Sequence, residues 1–133
     1  MVYKQYRWGQ GHFGASRGGS RRHKGLDIVA AYGQDVLSPI EGRVIRKSYP
    51  YANDLSYSGV LIEGTKGHSD LSVKIFYMSP PNTIMGKGVE AGDVIGKAQS
   101  LLTKYPGIIN HIHLEIKRNG SIIDPKLLLP DIS

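Results

Sequence analysis

Residues 110–117 read Asn-His-Ile-His-Leu-Glu-Ile-Lys, and this stretch decides which fold the chain can adopt. Apolar and polar residues alternate along it, which predicts a β-strand because successive strand side chains point to opposite faces. The apolar set is expected to face a core: Ile112, Leu114, Ile116. The polar set is expected to lie on the other face: His111, His113, Glu115. A half-buried antiparallel strand gives this pattern without any metal, but two neighbouring histidines on one face also suit a metal ion.

The rest of the chain also has the sequence pattern of a β-sheet protein. Asn119-Gly120 is a strong hairpin signal, so the strand is expected to turn back into a short partner. Short apolar runs separated by turn residues predict eight strands: Leu26–Ala30, Asp35–Leu37, Gly42–Arg46, Gly59–Glu63, Val73–Met78, Val94–Ala98, His111–Lys117 and Ser121–Ile123. We therefore expect an all-β, mostly antiparallel fold with short helical turns. Residues 1–20 are predicted to form an irregular arm and residues 21–133 a single domain.

The composition excludes a few structural and chemical classes, and the net charge indicates which partners the chain attracts. The chain has 133 residues, of which 40% are hydrophobic, with no apolar run long enough to span a membrane. It has no cysteine, which excludes disulfides and cysteine-based zinc or redox chemistry. The net charge of +6 attracts polyanions such as sulfated glycans or anionic wall polymers. Nucleic acid is not expected as a partner, because the aromatic residues form no recognisable stacking array.

Four side chains could form a zinc site. His23 and Asp27 lie four residues apart near the start of the chain, and His111 and His113 share a strand face near its end. Any three of them could close on one ion, which would leave the fourth beside it. Because four extended residues span about 13 Å, His23 and Asp27 can converge only across a bend, for which Gly25 offers the freedom.

Five segments, in order, resemble the lysostaphin-type zinc endopeptidases, which cleave peptides of bacterial cell walls. These segments are His23-Lys-Gly-Leu-Asp27-Ile, Val36–Val44, Gly88–Gly96, His111-Ile-His113-Leu-Glu and Ile123-Asp-Pro125. The resemblance covers about residues 11–128. It implies a β-sandwich-like domain with zinc in a groove across one sheet. It also implies that His23, Asp27 and His113 bind the zinc, and that His111 stands beside it unligated.

One position departs from the active members of this family. They carry a further histidine in a Tyr-x-His segment, where this chain reads Tyr77-Met78-Ser79. A serine hydroxyl cannot exchange protons near neutral pH, whereas a positioned acid or base is worth about 10²–10⁴-fold in rate. Segments such as Tyr105-Pro-Gly-Ile108 resemble the chemotaxin-like branch of the family, whose members are secreted, lack this histidine and are regarded as non-proteolytic.

Two functions follow from the resemblance. The first is a secreted zinc-binding pseudoenzyme that recognises a cell-surface receptor, a sulfated glycan or the bacterial cell wall and its peptidoglycan. The second is a zinc-dependent cell-wall endopeptidase, in which zinc activates water, His111 acts as base or oxyanion stabiliser, and Tyr77 or Ser79 is a weak auxiliary donor. A lipoyl-carrier-like barrel is a weaker third reading, because Met85-Gly86-Lys87 lacks the required motif.

Overall fold

The computed structural model describes residues 25–125. The predicted N-terminal arm, 1–20, and His23 both lie outside the described residues. Within them the fold is all-β, as predicted, and its two helical segments are single 3-10 turns at Lys66–His68 and Asn82–Ile84. No helix in this part of the chain is long and apolar enough to cross a membrane.

Within the described residues, ten strands form two antiparallel sheets. The strands are β1 (Leu26–Val29), β2 (Asp35–Leu37), β3 (Gly42–Ser48), β4 (Gly59–Gly64), β5 (Leu71–Phe76), β6 (Met78–Ser79), β7 (Gly88–Val89), β8 (Val94–Ala98), β9 (His111–Arg118) and β10 (Ser121–Ile123). The large sheet has the order β1-β9-β5-β4-β3-β7, with β10 also paired to β9. The small sheet has the order β2-β8-β6.

The inner face of the large sheet supplies most of the core. Ile112, Leu114 and Ile116 of β9 are fully buried, which confirms the side assigned to them by the alternation in sequence. Fully buried Val73 and Ile75 continue this apolar surface on the neighbouring strand β5. The opposite, outer face of the same strands carries the polar side chains, so β9 presents its histidines there.

The prediction differs from the observed strands at Val73–Met78 and at β7. The predicted strand Val73–Met78 is interrupted at Tyr77, which has a φ of 68°. Its backbone N–H and that of Met78 both donate to the Ser58 carbonyl oxygen, at 2.8 and 3.2 Å. The chain thus leaves the large sheet and enters the small one as β6. The two-residue strand β7 is too short to show any alternation in sequence and was not predicted.

The predicted hairpin turn is confirmed. Asn119 and Gly120 connect β9 to β10 with φ values of 50° and 83°. Both central residues of a type I′ turn need positive φ, a region that asparagine and glycine tolerate better than other residues. This turn sets the register in which Ile123 pairs with Ile116.

A candidate metal centre on the outer face of the large sheet

The pairing of β1 with β9 brings the two halves of the predicted site together. Asp27 pairs directly with His113, so both side chains lie on the outer face of the sheet. The Oδ1 atom of Asp27 is 2.8 Å from Nδ1 of His113. Asp27 is 5% exposed, so its carboxylate is held among protein groups and away from bulk water.

His111 lies beside this pair with its ring orientation defined. Its Nε2 atom is 3.8 Å from Oδ2 of Asp27, and its side chain is buried. Its Nδ1 atom is 2.9 Å from the carbonyl oxygen of Ile109. Because a carbonyl oxygen can only accept, Nδ1–H is the donor, and the lone pair of the neutral ring is on Nε2. Asp27 therefore contacts both histidines of the predicted site.

Glu115 completes the surroundings of His113. Its Oε1 atom is 3.2 Å from Nε2 of His113, so the ring lies between two carboxylates. Burial alone lowers the pKa of His113, but hydrogen bonds to Asp27 and Glu115 outweigh burial and raise the pKa overall. Glu115 was not predicted as a site residue. Its position two residues after His113 on the same strand face is the signal that could have identified it.

Gly25 is required for a reason that the sequence did not reveal. Its backbone is not among the glycines with positive φ, so conformational freedom is not what selects glycine here. A Cβ at this position would lie 2.2 Å from the Leu114 carbonyl oxygen and 3.0 Å from Nε2 of His113. Only a residue without a side chain lets the chain approach β9 so closely immediately before Asp27.

A cluster of tyrosines adjoins His111. The Tyr77 ring packs edge-on against His111, with ring centroids 5.8 Å apart. Its hydroxyl is 2.8 Å from that of Tyr51, and the Tyr51 hydroxyl also bonds Tyr105. Burial raises the pKa of Tyr51 far above its ordinary value, and both hydroxyl bonds raise it further, so Tyr51 stays protonated. The sequence predicted Tyr77 here, whereas Tyr51 and Tyr105 come from distant loops.

Ser79 and His68 lie outside strands β1 and β9, which carry Asp27 and His113. Ser79 is exposed on β6, where its backbone pairs with Lys97 of the small sheet. His68 is in the turn between β4 and β5. This turn adjoins the Leu71 end of β5, and Phe76 is at the other end. The six residues from Leu71 to Phe76 span about 17 Å of strand. Since Phe76 pairs with His113, His68 lies too far away to act on the same ligand.

Asp27 and His113 are of the residue types that zinc accepts, and their donor atoms converge. Within residues 25–125, no group of three or more His, Cys, Asp or Glu side chains is arranged to hold a metal ion. The third expected ligand, His23, lies outside the described residues. The two described donors can therefore form part of a zinc site and need at least one further ligand.

The outer face around the site consists of parallel cross-strand rows. The first row comprises Gly59, Phe76, His113 and Asp27 on β4, β5, β9 and β1. The second row comprises Leu61, Lys74 and Glu115, and the third comprises Glu63, Ser72 and Lys117. The Phe76 ring stacks on the His113 ring at 6.1 Å with 12° between their planes. The second and third rows line a pocket that lies next to the candidate metal centre on the same face.

Comparison with known proteins places this arrangement in a family. Residues 21–125 match the profile of Peptidase family M23. Leukocyte cell-derived chemotaxin-2 from Bos taurus is 32% identical over 123 residues, which cover 91% of this chain and 74% of the relative. The solution structure of lysostaphin superposes with a TM-score of 0.70 at 20% identity, over 93% of this chain. This chain spans 49% of the lysostaphin chain.

A zinc-containing peptidase from Vibrio cholerae has the same fold, with a TM-score of 0.64 and 21% identity over 98% of this chain and 38% of that one. At such identities the solved structures show the fold alone. The predicted resemblance to the lysostaphin-type family, and to its chemotaxin-like branch, is confirmed by the profile match and by the bovine relative. The chain therefore belongs to peptidase family M23.

Proposed function

We propose that this protein is an extracellular zinc-binding module on the M23 fold, in which His23, Asp27 and His113 hold the metal and the groove binds a partner. The observation that supports it most is the 2.8 Å approach of Asp27 Oδ1 to Nδ1 of His113. A histidine that binds zinc usually donates its other ring N–H to a carboxylate or carbonyl. Glu115 is positioned to accept such a bond from Nε2 of His113.

The proposal that the module is non-catalytic rests on the Tyr-x-His segment. Ser79 occupies the position where active peptidases of the family carry a histidine, and His68 is too distant to replace it. His111 is then the sole described histidine beside the candidate metal ligands, and no second imidazole within residues 25–125 can share proton transfer with it. A site with one base in place of two is expected to bind ligands and to turn them over poorly.

A binding function is also supported by the surface around the site. Eight large hydrophobic side chains are exposed within residues 25–125, and five of them lie on the two loops that carry Tyr51 and Tyr105: Tyr49, Leu55, Leu102, Tyr105 and Ile109. Clustered exposed apolar residues are typical of interaction sites. The partner would be a cell-surface receptor, a sulfated glycan or the bacterial cell wall.

One observation favours the second candidate, a zinc-dependent cell-wall endopeptidase. The bond from Nδ1 of His111 to Ile109 leaves Nε2 able to accept a proton on the side of Asp27. That is the form a general base requires. In such an enzyme, bound zinc would acidify a water molecule and polarise the scissile carbonyl. The Tyr77 ring would hold His111 in place, since it packs against that ring.

The deciding experiment measures zinc content and turnover in the same samples. We expect about one zinc per chain and no cleavage of pentaglycine or peptidoglycan. Asp27→Ala and His113→Ala should lose zinc and lower the melting temperature together, whereas His111→Ala should retain zinc. His68→Ala is the matched control, because this exposed histidine lies far from the site. Cleavage by the zinc-loaded protein would establish the second candidate, and zinc loss in His111→Ala would overturn the ligand assignment.

A further inference from the structure

Next to the candidate metal centre, the outer face carries a pocket with an unusual charge arrangement. The pocket is lined by the second and third rows: Leu61, Lys74, Glu115, Glu63, Ser72 and Lys117. These six residues form a grid of two rows on three strands, since β4 pairs with β5 and β5 with β9 in continuous register. The short Ser72 side chain stands between Glu63 and Lys117 in the third row, which leaves a depression on the middle strand.

Within residues 25–125, the charged side chains of this grid form no ion pairs with one another. Lys74 stands directly opposite Glu115, a position in which an ion pair between neighbouring strands is expected. The Glu115 carboxylate instead contacts Nε2 of His113 in the first row, at 3.2 Å. Among the ion pairs within residues 25–125, none includes Lys74, Lys117 or Glu63. The candidate metal centre thus engages the carboxylate that would otherwise pair with Lys74.

We propose that this pocket binds a zwitterionic peptide group, with the ligand carboxylate on Lys74 and Lys117 and the ligand ammonium on Glu63. Apart from Glu115, which contacts His113, the pocket contributes two ammonium groups and one carboxylate, so a ligand that carries charge of only one sign leaves one kind of group unsatisfied. A ligand that carries one charge of each sign can satisfy both kinds of group. Lys74 is half-buried, which strengthens its attraction to a carboxylate relative to a fully solvated lysine.

The spacing of the charges matches a short peptide. Glu63 pairs with Ser72, so Lys74 is its diagonal neighbour, and diagonal residues across strands lie about 7–8 Å apart. An extended dipeptide spans at most about 7 Å between its ends. A dipeptide with free termini could therefore place its ammonium near Glu63 and its carboxylate near Lys74, while its backbone crosses Ser72 and Leu61.

The location gives this pocket a function in the proposed binding module. Alternate residues along one strand face are about 6.6 Å apart, so the second row is one such step from His113. A peptide that reaches the candidate metal centre would continue over the pocket. This inference names the class of ligand that the proposed binding module takes, and to that extent it rests on the proposed function. The pocket itself can bind its ligand whether or not zinc is held.

The test uses diglycine with free ends and N-acetyl-diglycine amide as probes of the full chain, monitored by amide chemical shifts. Free diglycine should perturb the amides of Leu61, Ser72 and Lys74, while the blocked peptide should leave them unchanged. Lys74→Gln should weaken diglycine binding about tenfold or more, and Glu63→Gln should weaken it in the same direction. Lys87→Gln is the matched control, because it removes an exposed lysine from another part of the chain.

Equal binding of free and blocked diglycine, or unchanged binding by both pocket variants, would overturn the proposal. Displacement of diglycine by a sulfated disaccharide at equal concentration would also overturn it, because a polyanion would then be the preferred ligand. Zinc content is measured in the same samples. Loss of diglycine binding with zinc retained counts against the pocket alone, and absence of zinc with diglycine still bound counts against the zinc proposal alone.

Discussion

At the scale of single residues, Glu115 links two parts of the outer face. Its carboxylate contacts Nε2 of His113 at 3.2 Å and is thereby withheld from Lys74, its cross-strand neighbour. One side chain thus orients a candidate zinc ligand and leaves a lysine available in the adjacent pocket. The position of Glu115 is set by strand alternation, but which of its two neighbours it contacts depends on the folded geometry.

Glu115→Gln is expected to weaken zinc binding about 10–100-fold, the usual cost of losing a partner that orients a metal ligand. The amide can still accept a hydrogen bond but does not carry the charge that increases the basicity of the His113 ring. Competition with a fluorescent zinc chelator measures the change. Glu90→Gln is the control, since Glu90 is exposed on a loop. Equal affinity in the two variants would show that Glu115 does not support the metal ligand.

Ser79→His restores the Tyr-x-His segment and tests whether the serine is what limits catalysis. We expect cleavage of pentaglycine by the zinc-loaded variant to rise by about 10² or more, because a positioned acid or base typically contributes 10²–10⁴-fold. Ser69→His serves as the control, because this exposed serine lies in the turn between β4 and β5. If both histidine variants stay inactive, a feature other than Ser79 prevents turnover.

At the scale of elements, the corner at Tyr77 connects the two sheets and helps to form the site. A left-handed conformation costs a non-glycine residue about 1–2 kcal/mol. Here two N–H groups bound to the Ser58 carbonyl oxygen and the packing of the ring on His111 hold Tyr77 in that conformation. Strain of this kind at a candidate site is consistent with its use in positioning His111.

The hairpin between β9 and β10 gives a direct test of turn conformation. Gly120→Ala is expected to lower the free energy of unfolding by about 1 kcal/mol, because the φ of 83° at Gly120 disfavours any residue with a Cβ. Urea unfolding measures the loss. Gly67→Ala is a matched control, because a Cβ at either glycine would meet no atom within 4 Å and Gly67 does not have positive φ. An equal loss in both variants would exclude backbone strain as the cause.

At the scale of the whole molecule, stability must come from packing and from any bound metal, because the chain has no cysteine. The core lies between the two sheets and includes fully buried Ile75, Ile95 and Leu114. Asp27 and His113 join β1, at the end of the large sheet, to β9 within it. A metal held by both side chains would strengthen the attachment of β1 to the rest of the sheet.

Zinc should therefore stabilise the folded chain measurably. At a free zinc concentration 1,000 times the Kd, the free energy of unfolding is expected to rise by about 4 kcal/mol, because the ion binds the native state preferentially. Calorimetry with zinc and with a chelator gives the difference in melting temperature. Asp27→Ala should show almost no difference between the two conditions. Equal melting temperatures for the unmodified protein in both would contradict a zinc site in the fold.

The fold class, most strand positions and the placement of His111 and His113 on one strand face could be predicted from the amino-acid sequence. Those features follow from local periodicity: alternation places Ile112 inside and His113 outside whatever the rest of the chain does. The Asn119-Gly120 turn was predictable for the same reason, because its positive φ values are a property of two adjacent residues. The family could also be identified, since its motifs are short and contiguous.

Only the tertiary structure decided how these pieces meet. Asp27 and His113 are 86 residues apart, and the register between β1 and β9 is what places their atoms 2.8 Å apart. The need for glycine at Gly25 and the tyrosine cluster around Tyr51 depend on atoms from distant strands and loops. Local sequence contains no information on such close approaches, because they arise only when strands and loops that are far apart in the chain pack against one another.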